Sequence, residues 1–220
     1  MRKPALLLLF VAFCTFSSFG AGKPHVISFG SRTPVKLFLG PDENRTTPIT
    51  VRTLIVDGKI REFTTGEAHD VTDRIFVVRR AFRINNNLPT DEKKVPNWMW
   101  QLGGWLMVDR LTGRVSQINL TEFDPFYSNA TWFRDYAAYC GINETTDKLY
   151  AIVMQLGRKK PILRRELGKT SHGDDPGDDC SAPTWEKKPT RVTFLPKQGE
   201  KITVQVFGHS ADVTPGSDEE

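Results

Sequence analysis

Short runs of Val, Ile, Leu, Phe and Thr recur along the chain, separated by Gly, Pro, Asn and Asp. This spacing predicts strands joined by tight turns. The first runs cover 26–29 and 35–39, with Gly30, Ser31, Thr33 and Pro34 between them. Runs 49–56 and 59–64 flank Asp57-Gly58, a dipeptide that accepts positive φ at both central positions of a two-residue hairpin turn. Residues 74–84 form a further run that ends at Asn85, Asn86 and Asn87. In its second half Arg79 and Arg83 share one side with Ala81, while Arg80, Phe82 and Ile84 share the other. Neither face is cleanly apolar. Residues 88–97 carry Pro89, Pro96 and a charge cluster from Asp91 to Lys94, which marks a loop. Three more hairpins follow, at 105–109 with 114–120, 148–156 with 161–167, and 191–195 with 201–207.

Between the first two of these hairpins the pattern has two readings. Ser128 can cap a two-turn helix running from Trp132 to Tyr139. Alternatively, 136–142 is a strand that turns through 143–147 directly into 148–156. The strand is favoured because it completes a hairpin at once. The stretch 168–189 is dominated by Gly, Pro, Asp, Ser and Lys and reads as a boundary. The expected organisation is a signal peptide at 1–22, a single β-rich domain at 23–210 and a flexible acidic tail at 211–220. The expected fold is mainly β, with antiparallel hairpins forming a small sandwich, barrel or propeller-like arrangement and at most one short helix.

The run from Leu149 to Val153, preceded by Asn143, Thr145, Thr146 and Asp147 and followed by Gly157, Arg158 and Lys159, resembles a β-propeller blade. The Val108–Val115 hairpin is similar to the one that closes many such blades. The resemblance covers about residues 70–167 and implies four-stranded antiparallel units at intervals of ~40–45 residues. It implies no catalytic or ligand-binding residues.

Composition narrows the class. Hydrophobic residues are 39% and charged residues 25% of the 220, enough to build a core. That excludes a wholly disordered chain, and collagen and coiled-coil periods are absent. The N-terminus sets the compartment. Met1, Arg2 and Lys3 precede an uncharged stretch at 5–19, the layout of a secretory signal peptide, with cleavage expected after Gly20 or Gly22. The apolar run is shorter than the ~20 residues that span a bilayer. Cys14 follows Phe13 rather than a small residue, which argues against a lipoprotein. A secreted or periplasmic protein is expected, without a transmembrane helix after cleavage.

Export leaves Cys140 and Cys180 as an even pair in an oxidising compartment, where a disulfide closing a loop of about 40 residues stabilises by roughly 3–4 kcal/mol. No metal site is expected, because there is no Cys-x-x-Cys and His25, His69, His172 and His209 are scattered. The acidic segment 172–180 does not follow the spacing of a calcium loop. No cofactor is expected either. The net charge of +4 includes Arg2 and Lys3, so the mature chain carries about +2, too little to suggest nucleic acid as a partner. Four Asn-x-Thr sequons begin at Asn44, Asn119, Asn129 and Asn143 and are glycan acceptors only in a eukaryotic secretory pathway.

No catalytic signature is present: there is no nucleophile elbow, phosphate loop, zinc-protease motif or dinucleotide fingerprint. The densest feature is aromatic, with four of the five tryptophans at Trp98, Trp100, Trp105 and Trp132, interleaved with carboxylates. Flat rings stack on sugars or apolar peptide side chains, and flanking carboxylates fix orientation. The same rings also fill cores. Trp98, Trp100, Asp109, Asp124 and Asp135 are therefore candidate ligand contacts, with Trp105 and Trp132 expected in the core. The expected function is a non-catalytic extracytoplasmic binding or interaction module for a glycan, peptide or protein. The alternative is a secreted hydrolase acting on a glycan or peptide through two carboxylates drawn from Asp109, Glu122, Asp124 and Asp135.

Export carries a direct test. N-terminal sequencing of protein purified from its native host should begin near Ala21 or Lys23, and recovery of intact Met1 from a cytosolic fraction would contradict it.

Overall fold

The computed structural model describes residues 24–39, 45–87, 95–143, 145–170 and 179–214, which form fifteen β-strands and no helix. The stretch expected to be a signal peptide, Asn44, most of the acidic 172–180 segment and residues 215–220 lie outside the described residues.

Seven strands make the first sheet. They are β1 (Ile27–Phe29), β2 (Thr33–Phe38), β3 (Thr46–Val56), β4 (Lys59–Asp70), β5 (Ile75–Asn85), β6 (Trp98–Asp109) and β7 (Val115–Ile118). They lie in the order β1-β3-β2-β6-β5-β4, with β7 added to β6. Because β4 also pairs with β3, the sheet partly closes on itself, the ring being completed by one parallel bridge between Leu37 and Trp100. Closure of this kind removes exposed edges. Asp57 and Gly58 form the expected turn, with φ of 51° and 76°. β6 starts earlier than the apolar pattern suggested, at Trp98, and runs through Gly103-Gly104. A register shift there, between Arg79 and Ala81 of β5, absorbs the extra residue as a bulge.

The second sheet is a meander of β8 (Thr131–Phe133), β9 (Tyr136–Asn143), β10 (Lys148–Gln155) and β11 (Leu163–Lys169). The open question at 131–140 is thus decided for strands. A tight turn with Arg134 at φ 53° separates β8 from β9, so no helix forms. The third sheet is a meander of β12 (Thr184–Glu186), β13 (Arg191–Phe194), β14 (Ile202–Phe207) and β15 (Ser210–Val213). β12 lies inside the stretch expected to be a boundary, and β15 keeps the chain paired through Val213.

These sheets stack with the second in the middle. Tyr136, Ala138, Cys140, Ala151 and Val153 face Val192, Phe194, Val204 and Val206 of the third sheet. The alternate residues Ala137, Tyr139, Tyr150, Ile152 and Met154 face Val77, Trp105 and Leu120. A third apolar cluster joins Leu54, Phe76, Val78, Leu106 and Val108 within the first sheet. Of the arrangements consistent with the sequence, a sandwich-like mainly β fold is the one observed. The blade-like likeness holds locally, since the second sheet is a four-stranded antiparallel unit. The Val108–Val115 hairpin, however, belongs to the partly closed first sheet. Among the described residues no helix is long and apolar enough to cross a membrane.

Cys140 and Cys180 are disulfide-bonded, with Cα atoms 6.3 Å apart and a sequence separation of 40. The bond ties the middle sheet to the start of the third, where Cys180 bridges to Pro196. Reduction should add two hydrogens to the intact mass. Replacing both cysteines by alanine should cost about 2–5 kcal/mol in urea unfolding. Two alkylatable thiols in unreduced protein would contradict the assignment.

Candidate functional site

A cleft of about 460 Å³ opens between the first sheet and β8, within the range of small-ligand sites. Thr65, Glu67 and His69 of β4 line one side, Arg79, Leu102 and Trp105 the floor, and Trp132 the other side. β4 delivers its residues through a bulge. Gly66 takes φ +74°, and a Cβ there would meet the Arg52 side chain at 2.3 Å, so only glycine fits without displacement.

Arg79 is the unexpected member. The alternation of β5 puts it beside Arg83 on a face that is not cleanly apolar, yet it is 7% exposed. In the antiparallel ladder paired residues share a face, and Arg79 pairs with Trp105 on the side that packs toward the middle sheet. The turn from Asp124 to Asn129 covers it. Nη2 donates to the carbonyls of Pro125 (2.8 Å) and Ser128 (3.3 Å), Nη1 to Asn129 Oδ1 (3.2 Å), and Nε to the Gly103 carbonyl (3.4 Å). The Phe123 ring lies 5.5 Å from the guanidinium carbon. All these partners are neutral, and no carboxylate among the described residues pairs with it. Burial alone pulls its pKa down to about 10, which leaves it a cation at neutral pH.

The turn that cups Arg79 is itself fixed. Asp124 Oδ1 accepts from the backbone N–H groups of Phe126 (2.7 Å) and Tyr127 (3.3 Å). Ser128, 1% exposed, donates to the Cys140 carbonyl at 2.7 Å and accepts from the Asp124 N–H. Tyr139 Oη donates to the Thr121 carbonyl, and Ile142 N–H to the Glu122 carbonyl. β9 therefore anchors the whole cup.

Two indoles complete the site. Trp105 and Trp132 meet edge to face at 5.5 Å, and His69 stacks on Trp132 at 6.2 Å, held by Nε2 donating to the Arg134 carbonyl. The Nε1 atoms of both tryptophans are buried without a hydrogen-bond partner. An indole N–H only donates. Leaving such a donor unpaired costs about 1–3 kcal/mol.

The residues singled out in the sequence are spread over three places. Trp98, 49% exposed, and Trp100 extend the same face of β6 toward the far end of the first sheet. There Arg83 stacks on Trp98 at 4.6 Å, and Phe63 meets Trp100 edge-on at 5.2 Å. Asp124 shapes the cup without entering the cleft. Asp109 is held by Arg74 and by the backbone of Leu111, and Asp135 accepts from Gln155 at 2.8 Å. Glu122 receives both Arg164 nitrogens at 2.7 Å and Asn143 at 2.9 Å. The four carboxylates considered for hydrolysis do not line this cleft; the one carboxylate that does is Glu67, at its exposed rim. A larger cavity of about 890 Å³ lies between β11 and the third sheet, where Arg165, Arg191 and Lys201 are balanced by Glu166, Glu186 and Glu200. Among the described residues no group of His, Cys, Asp and Glu is placed to hold a metal ion.

The carboxylates predict the acid response. The guanidinium of Arg74 holds Asp109 well below the usual carboxylate range, and Arg164 holds Glu122 low. Folded values below the unfolded ones mean that their stabilisation is complete above about pH 5 and is lost as the pH falls through the acid range. Thermal melts from pH 7 to pH 2 should show that decline, with a shallower slope in Asp109→Asn. An unchanged slope would remove Asp109 from the account.

No family model, curated protein or solved structure matches this chain.

Proposed function

We propose that the protein is a non-catalytic extracytoplasmic binding module whose ligand occupies the cleft above Arg79. The observation that carries this reading is the imbalance of the site. A buried guanidinium and two indoles belong to the lining of one cleft; among the described residues no carboxylate pairs with that guanidinium, and both indole N–H groups are buried without an acceptor. Groups left unpaired in this way destabilise the free fold. A ligand that offers acceptor oxygens recovers part of that cost on binding, while the faces of Trp132 and Trp105 offer it apolar contact.

Binding is favoured over hydrolysis by where the carboxylates sit. A glycosidase needs two carboxyl groups about 5–10 Å apart across the scissile bond, one with a raised pKa so that it can act as an acid. Asp109 and Glu122 are held in the opposite direction by arginines, and Asp124 and Asp135 are engaged in a turn and with Gln155. The disulfide and the leader pattern at 1–22 support placement outside the cytoplasm.

The test uses protein labelled with ¹⁵N at tryptophan. Titration with a panel of soluble oligosaccharides, short peptides and small organic acids should shift the Trp105 and Trp132 indole resonances saturably. The ligand should be recovered unchanged by mass spectrometry. Turnover of any panel member, abolished by Asp109→Asn or Glu122→Gln, would overturn the binding reading in favour of hydrolysis.

A further inference from the structure

We propose a second interaction site, separate from the cleft above Arg79: the free edge of β11 takes up an extended peptide segment of a partner protein as a further strand of the second sheet.

What exposes this edge is the set of side chains that reach one cavity. β11 is the last strand of its sheet and pairs only with β10. Arg165 lies opposite Ala151, which faces the third sheet, and Glu166 lies opposite Tyr150, which faces the first. Paired residues share a face, so these two side chains leave β11 in opposite directions. Both line the cavity of about 890 Å³. A space that touches both faces of a strand runs along the edge between them. Its far wall comes from the third sheet, with Ile202 and Thr203 at the start of β14 and Val213 at the end of β15. Among the described residues no backbone hydrogen bond joins that wall to β11.

An edge strand presents N–H and C=O groups that have no partner in its own sheet, and another extended backbone matches their spacing. The size of the space agrees with that occupant. A residue in a paired strand takes on the order of 160 Å³, from a rise of ~3.4 Å and spacings of ~4.8 Å between strands and ~10 Å between sheets, so the cavity holds about five residues. One end is closed, because a Cβ on Gly199 would lie 3.3 Å from the Leu167 carbonyl oxygen. Leu167 is also the extra residue of a bulge between Glu166 and Gly168, which limits the added strand to the stretch before it.

Charge separates a partner peptide from a second copy of β11. The strand carries Arg164, Arg165 and Lys169 against Glu166 alone, so two copies laid edge to edge would repel. Glu166 is taken by Lys148, whereas Arg165 is in no ion pair among the described residues. The residue opposite Arg165 on an added strand shares its face, and an acidic side chain there meets that guanidinium.

Hexapeptides of the form acetyl-Thr-Val-Xaa-Val-Thr-Val-amide, with Xaa as Glu, Ser or Lys, test the site by titration into the full ¹⁵N-labelled chain. Backbone amide resonances of Leu163–Lys169 should shift saturably and gain protection from solvent exchange, while the Trp132 indole resonance stays in place. Two control peptides carry N-methyl groups at alternate residues, one set on each edge. A strand pairs through one edge at a time, so at least one control should bind tenfold or more weakly than its parent. Glu at Xaa should be preferred over Lys at least threefold, and Arg165→Glu, a change at an exposed position, should reverse that order. Parent and both methylated forms binding equally would overturn strand addition. Indifference to Xaa would overturn the placement opposite Arg165. A concentration-dependent dimer that shifts the same β11 resonances would assign the edge to a second copy and overturn the partner peptide. Shifts confined to the tryptophan indoles, or no response to any peptide, would overturn the site while leaving the cleft reading untouched.

Discussion

The middle sheet has no face turned to water along its two central strands, and that constraint organises the molecule. β9 and β10 are buried almost from end to end, so every side chain they carry must suit one neighbouring sheet or the other. Ala137, Ala138 and Ala151 are small enough for close approach, while Tyr139 and Ile152 fill the wider space toward the first sheet. Polar groups of these two strands are consequently displaced to the rims. Tyr136 Oη reaches the Gly208 carbonyl at 2.6 Å, and Arg164 stacks over Tyr150 at 3.6 Å while gripping Glu122. The disulfide at Cys140 secures the same sheet to the third.

The cleft follows from that arrangement. β8 is short and pairs only with β9, but it is clamped from behind. Thr131 donates to the Pro183 carbonyl, Trp185 Nε1 donates to the Thr131 carbonyl, and Trp185 stacks on Phe133 at 5.6 Å. Trp132 is thereby held opposite Trp105 by elements that do not belong to the first sheet. The 121–129 segment is likewise fixed by β9 through Ser128, Tyr139 and Ile142. A rigid frame of this kind is what lets a protein keep unsatisfied groups in place. Without it the turn would relax and water would reach the guanidinium. The hydrogen bonds to neutral carbonyls orient Arg79 but do not neutralise it, and a buried cation without a counter-ion ordinarily costs several kcal/mol. Among the described residues no carboxylate pairs with Arg79, and the indole N–H groups of Trp105 and Trp132 in the same region have no acceptor.

Much of the architecture was determined by the sequence alone, because a period-two pattern and its turn residues are local information. The Asp57-Gly58 hairpin, the β9–β10 hairpin and the last hairpin fall where the β-branched runs and their punctuation put them. The cysteine pairing followed from the even count that remains when 1–22 is read as a signal peptide. The short strands β8, β12 and β15 were not legible, since three or four residues carry too little alternation and depend on pairing partners for their existence. The role of Arg79 was hidden for a related reason. Alternation states that Arg79 and Arg83 share a side of β5, but not that another sheet covers only part of that side. Arg83 stays near the uncovered end with Trp98, whereas Arg79 falls beneath the Asp124–Asn129 turn. In the same way, the carboxylates of Asp109, Asp124 and Asp135 looked equivalent among the aromatic residues. Their separate engagements came from strand pairing and from a local turn: Arg74 meets Asp109 across the first sheet, Gln155 meets Asp135 across the second, and Asp124 accepts from the backbone of its own turn.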